Sequence, residues 1–155
     1  MIQRLQSVFL LITAMALAVF LGTNTYIKEI SPTESVTVNP YQIFHQVGTI
    51  STGKPIFYIA VLAGIALAVS LLGIFMYKNR LRQMLFVSVN SIVMMLTLGV
   101  SVYHILKEAR PMIAAGEETF QVGFFALIIA MVSNLLANRF IKRDEKLIRS
   151  ADRMR

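Results

Sequence analysis

Four stretches of this chain, about 2–22, 55–77, 83–106 and 120–138, carry no Asp, Glu, Lys or Arg in their interiors. Each is close to the roughly 20 residues that cross a hydrocarbon core. In lipid such segments must be helical, because an open strand leaves backbone groups unpaired at several kcal/mol each. The expectation is an all-α membrane protein with four transmembrane helices. Composition agrees. Hydrophobic residues make up 56% of the 155 and charged ones 15%, against roughly a quarter charged in soluble domains.

The first stretch competes with a cleaved signal peptide. Cleavage before Thr23 would place Phe20 where a small residue is needed, and Ala16-Leu17-Ala18 lies inside the apolar run, so an uncleaved first helix is expected. Orientation follows from the flanks. Arg4, the 78–82 loop and the segment after Asn138 together hold eleven basic residues, whereas the opposite side has Lys28, Lys54, Lys107 and Arg110. The positive-inside rule then sets both termini in the cytoplasm. Tyr26, Tyr58, Tyr77 and Tyr103 all fall near the expected interfaces. The net charge of +7 is thus accounted for by topology and needs no nucleic acid.

The segment 23–54 is a long first outer loop. Val36 and Val38 alternate with polar residues before Asn39-Pro40, and Tyr41 and Ile43 do so after it, which predicts a small β-hairpin. A second outer loop, 107–119, contains Pro111 and Gly116, and its Glu117 and Glu118 suit the N-terminus of helix four through the macrodipole. The short 78–82 loop makes helices two and three an antiparallel pair. The division is a four-helix domain over 1–138 and a basic cytoplasmic tail over 139–155.

Small residues recur every fourth position on three helices: Ala14, Ala18 and Gly22; Ala60, Gly64 and Ala68; Ala126 and Ala130. They are candidates for close helix packing, within the chain or onto a partner helix. Helix three bears a polar stripe, Gln83, Asn90, Thr97, Ser101 and His104, which keeps to a narrow arc of a 3.6-residue helix. Helix four offers Ser133 and Asn134. Asn90 and Asn134 fall at similar depths, and a hydrogen bond between them, worth about 0.6–2 kcal/mol, is expected. The rival reading is a polar path along the stripe, against which stands its lack of an ionisable group at mid-depth.

His104 and Glu108 are four apart and His45 lies in the outer loop, a set that invites a metal or proton-relay reading but lacks ligand spacing. The chain has no cysteine, and no phosphate loop, H-E-x-x-H or nucleophile–base set is visible. No catalytic, metal or cofactor residue is assigned, and a non-enzymatic protein without cofactors is expected.

In the tail, Phe140, Leu147 and Met154 repeat every seven residues, with Ile141, Ile148 and Ala151 beside them. This apolar face, interrupted by Asp144, predicts a basic amphipathic helix. Arg139, Lys142, Arg143, Lys146, Arg149, Arg153 and Arg155 are the candidate contacts to anionic headgroups, at about 1 kcal/mol each near the surface, or to a protein partner.

The opening Met1-Ile2-Gln3-Arg4-Leu5-Gln6 and the close Ala137-Asn138-Arg139-Phe140-Ile141-Lys142-Arg143-Asp144-Glu145-Lys146-Leu147-Ile148-Arg149-Ser150-Ala151-Asp152-Arg153 resemble a small Bacteroidota inner-membrane family, domain of unknown function 4293. The resemblance covers the whole chain. It implies four helices, a long first loop in the periplasm and a bacterial inner-membrane location, and it brings no activity, cofactor or catalytic residue. The expected function is an accessory subunit or assembly factor of a larger membrane complex, for instance in protein export or secretion, working with a membrane-protein partner or as a homo-oligomer. A small oligomeric transporter or channel using the helix-three stripe is the alternative. A third reading is an enzyme acting on lipid or quinone at the outer face through His45, His104 and Glu108.

Overall fold

The computed structural model describes residues 3–31, 34–76 and 79–152, and the side chains at 3, 4, 80 and 148–152 lie outside that description. Four long helices, α1 (Gln3–Gly22), α2 (Tyr58–Phe75), α3 (Arg80–His104) and α4 (Val122–Asp152), account for most of it. Each contains a stretch long and apolar enough to cross a membrane. They alternate in direction and close into a ring, α1 packing on α2 and α4, and α3 on α2 and α4. Asn79 starts α3 by accepting the Arg82 amide, which satisfies one of the free N–H groups at a helix start. Past His104 the chain runs through a π-helical turn, Ile105–Ala109, and a short turn, Arg110–Met112.

The fold is not all-α. Five antiparallel strands, β1 (Tyr26–Ser31), β2 (Glu34–Val38), β3 (Gln42–Val47), β4 (Ile50–Pro55) and β5 (Glu117–Phe120), form one sheet in the order β4-β3-β2-β1-β5. β2 and β3 flank the Asn39-Pro40 turn, where Asn39 Oδ1 accepts from the amides of Tyr41 and Gln42 at 3.0 and 2.9 Å. A second tight turn joins β3 to β4. Gly48 takes φ +62° there, in the first position of a two-residue hairpin loop, where a side chain is disfavoured.

The sheet escapes a hydropathy reading because its strands are only four to six residues long and one face alone is covered. Across that inner face Phe120, Tyr26, Val38 and Ile43 lie in one row, and Glu118, Lys28, Val36 and His45 in the next. Glu117 and Glu118 therefore belong to a strand paired with β1 and do not sit at a helix start; α4 begins only at Val122. The reason is the partner available. β1 offers Glu118 a buried lysine in register, a stronger inducement than the macrodipole supplies.

The principal core joins sheet and bundle: Phe20, Leu17, Tyr26, Val36, Val38, Ile43, Ile56, Ile59, Ile105, Ala109 and Leu127 are all buried in it. A smaller one at the opposite end holds Leu10, Val87, Ala137 and Ile141. α4 has 31 residues, about 46 Å at 1.5 Å per residue, and so outruns a core of about 30 Å.

Candidate functional site

Two polar clusters are embedded in this apolar frame. The first is the stripe on α3. Gln83, Asn90, Thr97, Ser101 and His104 are all buried and turned into the bundle. Asn90 Nδ2 donates to Ser70 Oγ of α2 at 2.8 Å and to Asn134 Oδ1 of α4 at 3.3 Å. Asn134 Nδ2 donates to Ser91 Oγ and to the Val87 carbonyl. Gln83 donates to the Gly73 carbonyl, and Asn138 to Ser88 Oγ. Thr97 and Ser101 instead bond carbonyls one turn back in their own helix. Ser133 is buried beside Asn134 on α4. Ser70 was not singled out from sequence, although a lone serine in 58–75 with Asn at similar depth on α3 was the available signal.

The second cluster lies where bundle meets sheet. Tyr58, at the first residue of α2, hydrogen-bonds His104 Nε2. His104 Nδ1 is 3.0 Å from Glu108 Oε2 in the π turn, and Glu108 Oε1 is 2.8 Å from Lys54 Nζ of β4. Tyr103 meets the His104 ring edge-on at 5.5 Å. Sequence reasoning paired His104 with Glu108 but took His45 as the third member. His45 sits in the inner row of the sheet between Val36 and Thr52, and among the described residues no group of three or more His, Cys, Asp or Glu could hold a metal. Tyr58 and Lys54 were missed because strand β4 and its lysine are placed only by tertiary folding.

Beside this chain, Lys28 Nζ lies 3.2 Å from Glu118 Oε1 and donates to the Arg110 carbonyl, while Arg110 Nε reaches the same Glu118 oxygen at 2.9 Å. Desolvation would raise the Glu118 carboxyl, but Lys28 and Arg110 outweigh it and hold it below the usual carboxylate range. Burial and the neighbouring Glu118 charge push the Tyr26 phenol up.

The small-residue positions divide. Ala14, Ala126 and Ala130 are buried in the bundle; Ala18, Gly22 and Ala68 are exposed; Ala60 and Gly64 are half-buried. On α2 the inward face is Ile59, Ala63, Ala66, Ser70 and Gly73, so the bundle packs on a different set of small residues from Ala60, Gly64 and Ala68.

In the C-terminal part of α4, Arg139, Lys142, Arg143 and Lys146 are exposed. The side chains of Arg149, Arg153 and Arg155 lie outside the described residues. The first part of the apolar face is covered, whereas Leu147 is exposed. Phe140 stacks on Phe9 of α1 with centroids 5.3 Å apart, Ile141 is buried, and Gln6 hydrogen-bonds the buried Asp144. What remains open on this segment is mainly its cationic stripe, spaced i, i+3, i+4, i+7.

Four apolar helices of membrane-crossing length, closed on each other by buried amides and roofed at one end by an antiparallel sheet, define a helical bundle with a strand cap. The chain belongs to the family described as Domain of unknown function (DUF4293), whose model matches residues 2–154. No curated protein matches it.

Proposed function

We propose that this is a four-span protein of a bacterial inner membrane, with both termini in the cytoplasm and the sheet in the periplasm, serving as a non-enzymatic accessory subunit or assembly factor of a larger membrane complex. Its orientation is supported by how the cations are spent. On the sheet side Lys28, Lys54 and Arg110 are each paired with a carboxylate and Lys107 is exposed, whereas Arg139, Lys142, Arg143 and Lys146 all stand exposed at the other end. Those four also supply the contact to anionic headgroups at the cytoplasmic face.

The observation that carries the accessory reading is the inward turn of the polar groups. Asn90, Asn134 and Gln83 spend their amide hydrogens inside the bundle, beside a packed apolar core at Leu10, Val87, Ala137 and Ile141. That arrangement weighs against the transport reading, which needs polar groups along an open path. Outside the helices, every residue of β4 is exposed and its outer edge is unpaired in the sheet, the kind of edge to which another chain can add.

The test is gentle detergent extraction of the tagged chain at native level, followed by mass spectrometry. One membrane protein should be recovered in fixed proportion, and Ser51→Pro, which removes an N–H on the outer edge of β4, should lose it. Recovery as a lone monomer overturns the proposal.

A further inference from the structure

Strand β4, at one edge of the sheet, carries a self-complementary set of groups. The Ile56 amide donates to the Tyr41 carbonyl, and bonded pairs alternate from there along β3 and β4, at Ile43–Lys54, His45–Thr52 and Val47–Ile50. Ser51 and Gly53 therefore turn their N–H and C=O groups outward, one on each side of Thr52. Pro55, with no N–H, ends the row. Every residue of β4 is exposed, Ile50 at 70%.

Outward N–H and C=O groups on an extended strand are matched by another strand, and this one matches itself. Turned about a two-fold axis through Thr52, a second copy sets its Gly53 opposite Ser51 and its Ser51 opposite Gly53, and each pair exchanges N–H and C=O. The Thr52 side chains then meet on the inner face, a favourable cross-strand pair. Ile50 falls opposite Lys54 of the second copy, whose methylene stem covers it while the ammonium stays with Glu108. On the outer face only Ser51 and Gly53 meet, so no bulky side chain obstructs the approach. The two Lys54 charges lie about 14 Å apart along the pair, at about 3.4 Å per residue, beyond the screening length of about 8 Å. The other edge is less suited: β5 has four residues and would bring Glu117 and Glu118 against their own copies.

We propose that β4 is a homodimer interface: β4 of a second copy adds to it antiparallel, about a two-fold axis through Thr52, in the closed symmetry commonest among oligomers. The membrane permits this axis. The inner face of the sheet shares one core with Phe20, Ile59 and Leu127, at the sheet-side ends of α1, α2 and α4, and with Ile105 just past α3, so the sheet lies across the bundle. An axis perpendicular to it runs along the helices and leaves both copies upright in one bilayer. A single strand pair buries less than the roughly 1,600 Å² of a standard interface. Confinement to one plane and one orientation offsets that, because less freedom is lost on association. The inference deepens the accessory reading, resting on its bilayer placement and its use of β4: the dimer, and not the lone chain, joins the larger complex.

The chain has no cysteine, so one introduced residue reads the register. In native membranes under mild oxidation, Thr52→Cys should form a disulfide-linked dimer. The two Cα atoms lie about 4.5 Å apart in a pair of this kind, inside the range a disulfide spans. Ile50→Cys, on the same face but about 14 Å from its mate, should not link. Separately, two differently tagged copies should recover each other from gentle detergent. Ser51→Pro should cut that recovery about tenfold or more, since symmetry removes two hydrogen bonds. No Thr52→Cys dimer, equal linking at Ile50→Cys, or recovery unchanged by Ser51→Pro overturns the proposal. Tagged copies that stay apart while another membrane protein is still recovered overturn it too, and leave the accessory reading standing. Copies that pair and bring no other protein uphold the dimer and sink the accessory reading.

Discussion

Lys28 and Glu118 face each other across the β1–β5 pair, 90 residues apart in sequence, with Nζ and Oε1 separated by 3.2 Å and the lysine side chain only 6% exposed. That pair fastens the last strand to the sheet. It also makes the sheet sensitive to acid. Ion pairing with Lys28 and Arg110 outweighs desolvation and lowers the Glu118 pKa on folding. The stabilisation is therefore complete above the unfolded carboxylate value of about 4.3 and is lost as pH falls through the lower folded value. Thermal melting in nanodiscs should show the wild type losing stability below that point. Glu118→Gln should melt lower at neutral pH and lose less on acidification.

The Asn90–Asn134 contact should be measurable as a coupling energy. Either single change to Ala removes the 3.3 Å bond and leaves partners such as Ser70 or Ser91 with one donor fewer. A double-mutant cycle is expected to give about 0.6 kcal/mol, the usual value for such bonds between helices in lipid, and up to about 1.7. Strict additivity of the two changes would show that the bond contributes nothing.

The absence of cysteine makes topology straightforward to test. Ser51→Cys on the exposed β4 and Lys146→Cys on the exposed face of α4 should label from opposite sides with a membrane-impermeant maleimide. The first is expected to react in intact cells and the second only after lysis. The reverse result inverts the proposed orientation, and labelling of both from one side removes the bilayer placement.

Two glycines should behave oppositely. Gly116 holds φ +132°, and an added Cβ would come within 2.6 Å of the Glu29 carbonyl oxygen. Gly116→Ala is therefore expected to cost about 1–3 kcal/mol and to speed amide exchange in β5 and β1. A Cβ at Gly64 meets nothing within 4 Å, and Gly64→Ala inside α2 should raise stability by about 0.5–1 kcal/mol. If Gly64→Ala instead abolishes the recovered membrane partner while the fold is firmer, the outward small-residue face of α2 is where that partner packs.

Much of this molecule was legible in one dimension. The four apolar helices depend on local hydropathy alone, and their ends move by only a few residues between the expectation and the structure; the turns Ile105–Ala109 and Arg110–Met112 carry the chain on past α3, and the length of α4 beyond Asn138 meets the amphipathic helix expected there. The spacing of Gln83, Asn90, Thr97, Ser101 and His104 determined that they share a face, because helix geometry fixes it, and the structure turns that face inward. The Gly48-Thr49 turn carried a hairpin signal of its own that a reading centred on Asn39-Pro40 passed over.

What only the tertiary structure decided is which distant segments meet. β5 is four residues long, too short to announce itself, and becomes a strand because β1 offers it a paired edge and Lys28. The tail's periodicity shows an apolar face, but only the structure has α1 cover the first part of it, through Gln6 and Phe9. Tyr58 and Lys54 join His104 and Glu108 for the same reason. Local periodicity follows from the geometry of one helix or strand, whereas these contacts depend on the relative placement of several, and chain closure over tens of residues leaves no mark on the residues in between.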